Sequence, residues 1–150
     1  ADALTVCAQH PDWLRDRTAP TLLTPHDREY ERFGRPVGAD RIGAARDLAA
    51  ELGVTVLLKG DATVVAAATG PARVNATGTP VLATAGTGDV LAGAAGALLA
   101  GGLTTLDAGS VAAFLHGRAG VLSADGATTS ASAVLQAWPA AAREAVRLDP

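Results

Sequence analysis

The sequence predicts a mixed α/β layer structure, and three observations carry that expectation. Residues 54–58, Val-Thr-Val-Leu-Leu, form a continuous apolar run of the kind found in strands buried on both faces. They follow a segment of helical periodicity and precede two short β-type runs, spaced too closely for a crossover of about a dozen residues. Three more segments of helical character, separated by glycine, fill the second half of the chain. Helices interleaved with strands in this way pack as layers on a sheet.

Taken in order, residues 1–15 read as helix or loop, with Pro11 placed to begin a helix at Asp12, Trp13 and Leu14. Residues 21–24 are a short buried-strand candidate stopped by Pro25. From Asp40 to Leu52 the apolar positions Ile42, Ala45, Leu48, Ala49 and Leu52 recur at helical spacing, and Gly53 closes the helix. After the strand at 54–58, residues 63–67 and 72–75 give two more, with Gly70-Pro71 as the turn of a hairpin. Helices are expected at 87–100, 106–122 and 130–147, with breaks at Gly101-Gly102 and Gly126 and a kink or restart at Pro139. Gly93, Gly96 and Ala97 would let the first of these pack closely on a sheet. No repeat or low-complexity linker divides the chain, so residues 1–150 read as one domain. A single strand–helix–strand unit leaves exposed sheet edges, which points to part of a larger fold.

Composition narrows the function. The 150 residues are 49% hydrophobic with a net charge of −3 and one cysteine, which excludes disorder and a disulfide scaffold. The acidic balance offers no footprint for nucleic acid or an anionic membrane. No uncharged run is longer than the one between Asp89 and Asp107, which is rich in Ala and Gly and too short to span a bilayer, and no secretion signal is visible. A cytoplasmic location is expected, with Cys7 a small buried apolar residue. Arg fills every Lys or Arg position except Lys59, which gives that one lysine weight.

The stretch Ala83-Thr84-Ala85-Gly86-Thr87-Gly88-Asp89 lies at the entrance to a predicted helix. Its glycines let the backbone turn and bring N–H groups toward a ligand, while a helix N-terminus favours negative charge. Asp89, in the first turn, could take a proton from a reacting hydroxyl. The alternative is a flexible turn with Asp89 as a dipole-stabilised cap. Lys59 follows a buried strand, where its ammonium could neutralise phosphate or simply end the strand in solvent. Thr63 and the Gly60-Asp61 turn could bind nucleotide or serve only as a hairpin turn. His26 lies just past a strand end, the ligand-facing edge of open α/β sheets, or is a solvated loop histidine. His116 reads as packed or half exposed, His10 as a loop residue, and Trp13 and Trp138 as packing anchors. No zinc-ligand spacing occurs.

The segment Asn75-Ala76-Thr77-Gly78-Thr79-Pro80 through Gly86-Thr87-Gly88-Asp89 and on to Gly93 resembles the signature of the ADP-dependent NAD(P)H-hydrate dehydratases, of the ribokinase-like superfamily. Thr24-Pro25-His26 is similar to that family's Thr-Pro-His-Pro-Gly-Glu segment, and Lys59-Gly60-Asp61-Ala62-Thr63 to its Lys-Gly-Ala-x-Thr segment. The resemblance implies a three-layer α/β/α fold and an enzyme that restores NADH or NADPH from the hydrated epimer, turning ADP into AMP and phosphate. It implies Asp89 as base and substrate contact, His26 as a contact of the hydrated cofactor, and Lys59, Gly60, Asp61, Ala62, Thr63 and Gly88 as nucleotide site. It also implies Mg²⁺ with the nucleotide, and a homo-oligomer; no residue of the sequence is assigned as a metal ligand.

The departures carry expectations of their own. Asp27-Arg28-Glu29 stands where the family has Pro-Gly-Glu, and Thr79-Pro80-Val81-Leu82 where it has Asn-Pro-Gly-Met, both weakening the placement of substrate. Family domains are nearly twice this length, and the opening Ala1-Asp2-Ala3-Leu4 resembles their middle, so a partial domain without its N-terminal half is expected. Two other readings stand beside the dehydratase. A ribokinase-like small-molecule kinase of the hydroxymethylpyrimidine or thiazole type uses the same Gly-rich turn and acid. A non-catalytic nucleotide-binding fragment would follow from the missing half.

Overall fold

In the computed structural model, which describes residues 2–124 and 128–147, strands β1 (Leu22–Leu23), β2 (Thr55–Leu58), β3 (Thr63–Ala66) and β4 (Arg73–Asn75) form a sheet in that order. β1 runs parallel to β2, whereas β2–β3 and β3–β4 are antiparallel hairpins, as their short connections require. All four side chains of β2 and of β3 are buried, because both faces of the sheet are covered.

Strand alternation sorts those side chains between two layers. Leu23, Val56, Leu58, Val64 and Ala66 pack on one face against α4 (Arg41–Leu52), together with residues of α1 (Asp2–Gln9) and α2 (Asp12–Arg15) and with Tyr30 of α3 (Asp27–Tyr30). Leu57 and Val65 point the other way, onto Leu91 and Ala95 of α5 (Thr87–Ala100) and Ala112 and Ala113 of α6 (Thr105–Ala124). The result is helix, sheet, helix. A third cluster, around Ala119, Val134 and Ala141, joins α6 to α7 (Ala131–Val146).

The elements follow local chemistry closely. In α4 the Asp40 carboxylate accepts from the Gly43 N–H at 2.8 Å to cap the start, and Gly53 takes a left-handed φ of 67° to end the helix. Ala45, Leu48, Ala49 and Leu52 are fully buried along one stripe, and Ile42 lies outside it, 41% exposed. Three expectations are corrected. Of the kink or restart expected at Pro139 the restart does not occur: α7 runs through the proline as one helix, with Val134 and Ala141 packed against α6 on either side of the missing N–H. In α5 the packed face is Leu91, Ala95 and Leu98, so helical periodicity turns Gly93, Gly96 and Ala97 outward, away from the sheet. Trp13 is exposed and stacks on the His10 ring at 4.4 Å, whereas Trp138 does pack, between the second and third clusters. Cys7 is half-buried against the first cluster. The break expected at Gly126 lies outside the described residues.

The segment after β4 is pinned to α6. The Asn75 amide donates to the Ala113 carbonyl and the Thr77 hydroxyl to that of Phe114, each at 3.1 Å. Gly117 makes the approach possible: a Cβ there would lie 2.6 Å from the Thr77 carbonyl carbon. The Asn-Ala-Thr part of the motif therefore docks a loop. Among the described residues no helix is long and apolar enough to cross a membrane.

Candidate functional site

The two parallel strands end side by side, and the residues after them open a cleft. The Lys59 N–H donates to the Pro25 carbonyl at 2.8 Å, so the chain leaving β2 and the chain leaving β1 stay together past the sheet. His26 and Lys59 therefore emerge at the carboxyl edge of the sheet, where open α/β folds bind ligands. The loop at 78–86 and the start of α5 close the opposite wall, giving a cleft of about 860 Å³, ample for a nucleotide-sized molecule.

Gly86 opens α5 with a left-handed φ of 84°, a conformation that favours glycine, and as N-cap it supplies no side chain to the helix end. Thr87 secures the turn from inside: its buried hydroxyl donates to the Leu82 carbonyl at 2.6 Å, with the Thr84 carbonyl at 2.8 Å. Among the described residues the turn's bonds run from the N–H groups of Thr87, Asp89 and Val90, leaving that of Gly88 outside them. The Lys59 ammonium lies directly over this position, 3.3 Å from where a Cβ of Gly88 would stand. A cation and a helix N-terminus thus share one end of the cleft and can hold an anion between them. Asp89, exposed on the next residue, lines the same cleft and carries a carboxylate able to accept a proton.

Glu29 was not among the residues singled out from sequence, and it organises the opposite side. Its carboxylate is only 4% exposed. One oxygen accepts from the His26 backbone N–H at 2.8 Å and lies 3.3 Å from the Lys59 ammonium. In return the Glu29 N–H donates to Nδ1 of His26 at 3.2 Å, completing a capping box for α3. Burial pushes the Glu29 carboxyl up, but the hydrogen bond from the His26 backbone N–H and the Lys59 ammonium beside it more than offset that, so its pKa is lowered. The signal was present, as His26 and Glu29 stand at capping-box spacing and Glu29 matches the last residue of the Thr-Pro-His-Pro-Gly-Glu segment. Asp27, where that segment has proline, pairs with Arg41 at 3.0 Å, and Arg41 also donates to the Lys59 carbonyl at 2.7 Å.

Of the remaining expected residues, Gly60, Asp61 and Thr63 line the cleft and Ala62 does not. A side chain at Gly60 would meet the Arg41 guanidinium at 2.5 Å, and the Thr63 hydroxyl donates back to the Gly60 carbonyl at 3.3 Å. His116 also lines the cleft, on α6. It is 7% exposed, its Nδ1 has no hydrogen-bond partner among the described residues, and burial together with the Lys59 charge lowers its pKa to about 4. A neutral imidazole is the result.

The profile of the NAD(P)H-hydrate dehydratase family matches residues 1–138. The chain belongs to this family. A bifunctional NAD(P)H-hydrate repair enzyme of Mycobacterium leprae is 54% identical over 125 residues, covering 83% of this chain and 26% of the relative. One of the same description from Thermofilum pendens is 40% identical over 128 residues, covering 83% and 24%. Among solved structures, the ADP/ATP-dependent NAD(P)H-hydrate dehydratase of Bacillus subtilis, co-crystallised with ATP and Mg²⁺ and soaked with CoA, superposes with a TM-score of 0.76 at 32% identity over 87% of this chain and 53% of that one. A ribokinase-like superfamily protein of Enterococcus faecalis, 24% identical with a TM-score of 0.72, covers 95% of this chain and 51% of its own and shows the same fold. This family member thus has the ribokinase-like α/β architecture, and it spans about half the length of those structures.

Proposed function

We propose that this chain carries the nucleotide and substrate cleft of an ADP-dependent NAD(P)H-hydrate dehydratase, which returns hydrated NADH or NADPH to the reduced cofactor. The observation that carries the reading is the Lys59 ammonium seated over Gly88, one residue before Asp89, at the N-terminus of α5. In this reading Lys59, Gly60, Asp61, Thr63 and Gly88 bind the nucleotide, to which Ala62 offers only its main chain. His26 and Asp89 meet the hydrated nicotinamide.

ADP would supply the phosphoryl group that turns a poor leaving group, hydroxide, into a good one, leaving AMP. Asp89 accepts the hydroxyl proton as the substrate oxygen bonds to phosphorus. Lys59 and the Gly86–Gly88 turn balance the phosphate charge. Phosphate then departs as the carbon–oxygen bond breaks with the help of the ring nitrogen, and the adjacent carbon gives up a proton. Among the described residues no group of three His, Cys, Asp or Glu could hold a metal ion. A Mg²⁺ ion would therefore be held chiefly by phosphate oxygens, as that ion prefers, with at most one or two of these carboxylates.

The test is nucleotide binding. Lys59→Ala should weaken ADP binding by about 1–3 kcal/mol, the range of a charge-assisted hydrogen bond. Titration calorimetry giving an unchanged affinity would remove Lys59 from the nucleotide site. The reading extends to residues 1–150 being one partial domain whose N-terminal half lies outside this sequence, supported by the 53% coverage of the Bacillus subtilis structure. Limited proteolysis that cut the chain into two stable pieces would contradict the single domain. The reading extends to a homo-oligomer, on the family resemblance, and to a cytoplasmic location, and sedimentation of the purified protein tests the first.

A further inference from the structure

The bonds around Glu29 constrain His26 more tightly than an exposed loop histidine would be. Nδ1 of His26 accepts the Glu29 N–H at 3.2 Å, and a ring nitrogen that accepts must carry its lone pair, so the ring proton of the neutral imidazole sits on Nε2. Nε2 is 3.6 Å from the nearer Glu29 oxygen, beyond hydrogen-bond distance, and the half-exposed ring lines the cleft. The same oxygen holds the His26 backbone N–H at 2.8 Å, so the ring and main chain are fastened at two points.

We propose that Glu29 is a positioning residue that locks His26 as an Nε2–H donor, so that His26 binds its ligand by donating to an acceptor oxygen and does not serve as a proton acceptor. Donation through Nε2 leaves the cap intact, whereas taking up a proton at Nδ1 would break it. This assigns His26 a recognition duty toward an oxygen-bearing ligand and leaves proton transfer to a carboxylate elsewhere in the cleft. The identity of that ligand rests on the dehydratase reading; the lock does not.

The test reads the tautomer directly and needs no turnover, so its failure and that of the dehydratase reading are told apart. Histidine-¹⁵N-labelled chain is examined at pH 8 by long-range ¹H–¹⁵N correlation, with the His26 signals assigned by their loss in His26→Gln. Wild type should show His26 protonated at Nε2 alone. Glu29→Gln, which can still complete a capping box, should keep that signature. Glu29→Ala should lose it, with an Nδ1–H population appearing. Glu29→Asp, whose shorter side chain cannot reach the His26 N–H, should do the same and serves if the Ala variant does not fold. Wild-type His26 protonated at Nδ1, or a lock that survives in the folded Ala or Asp variant, would overturn the proposal.

Discussion

Asp89→Asn is expected to lower turnover of NAD(P)H hydrate by roughly 10²–10⁴-fold, about 3–5 kcal/mol of barrier, in a full-length enzyme carrying this sequence. ADP affinity should change little. The substitution keeps the shape of the side chain and its place in the first turn of α5, next to the Gly88 position beneath Lys59. What it removes is the ability of that side chain to accept a proton, while an amide of the same shape can still contact the substrate. An alcohol becomes far more acidic as its oxygen bonds to phosphorus, so a carboxylate within hydrogen-bond reach suffices as base. Near-normal turnover by the Asn variant, under conditions where chemistry limits the rate, would reduce Asp89 to a helix cap.

His116 should make the fold sensitive to mild acid. In the unfolded chain a histidine titrates near 6.5, whereas burial and the Lys59 charge hold the folded imidazole neutral down to about 4. Above 6.5 both states bind no proton and stability is unaffected. Below it the unfolded state binds a proton that the folded state refuses, so stability falls as pH drops from 6.5 toward 4, by about 3 kcal/mol in all. Carboxylates titrate in the lower part of the same window, so the measurement is a comparison. Urea unfolding of wild type and His116→Gln at pH 7.5 and 4.5 should show wild type losing about 2–3 kcal/mol more than the variant. Equal losses would mean that His116 is protonated in the folded protein.

Much of the molecule was legible along the chain. The stripe from Ala45 to Leu52, its Asp40 and Gly53 ends, the two hairpins and the bounds of α5 all follow from interactions within a few residues. Backbone hydrogen bonding, capping and side-chain periodicity are local and leave a local imprint. The Gly-Thr-Gly-Asp turn is readable for the same reason, since a left-handed φ at Gly86 is a demand on one residue. The side of a helix on which small residues fall was not decided this way. Gly93 and Gly96 are compatible with close packing, but the larger Leu91 and Leu98 claimed the sheet face.

The site was legible as residue types and illegible as an arrangement. Lys59 and Gly88 are neighbours only because β2 ends and α5 begins at the same edge of the sheet, and nothing local to either residue requires it. Glu29 is expressed in sequence as a capping-box partner, yet its meeting with Lys59 depends on β1 and β2 pairing in parallel, which carries their trailing residues out together. His116 shows the difference most clearly. The sequence by itself determined that an imidazole stands on an apolar helix; the tertiary structure alone decided that it is buried, neutral and in the cleft. The cost of burying a charge depends on what surrounds it in space, and those surroundings, Lys59 and Trp138 among them, come from distant parts of the chain.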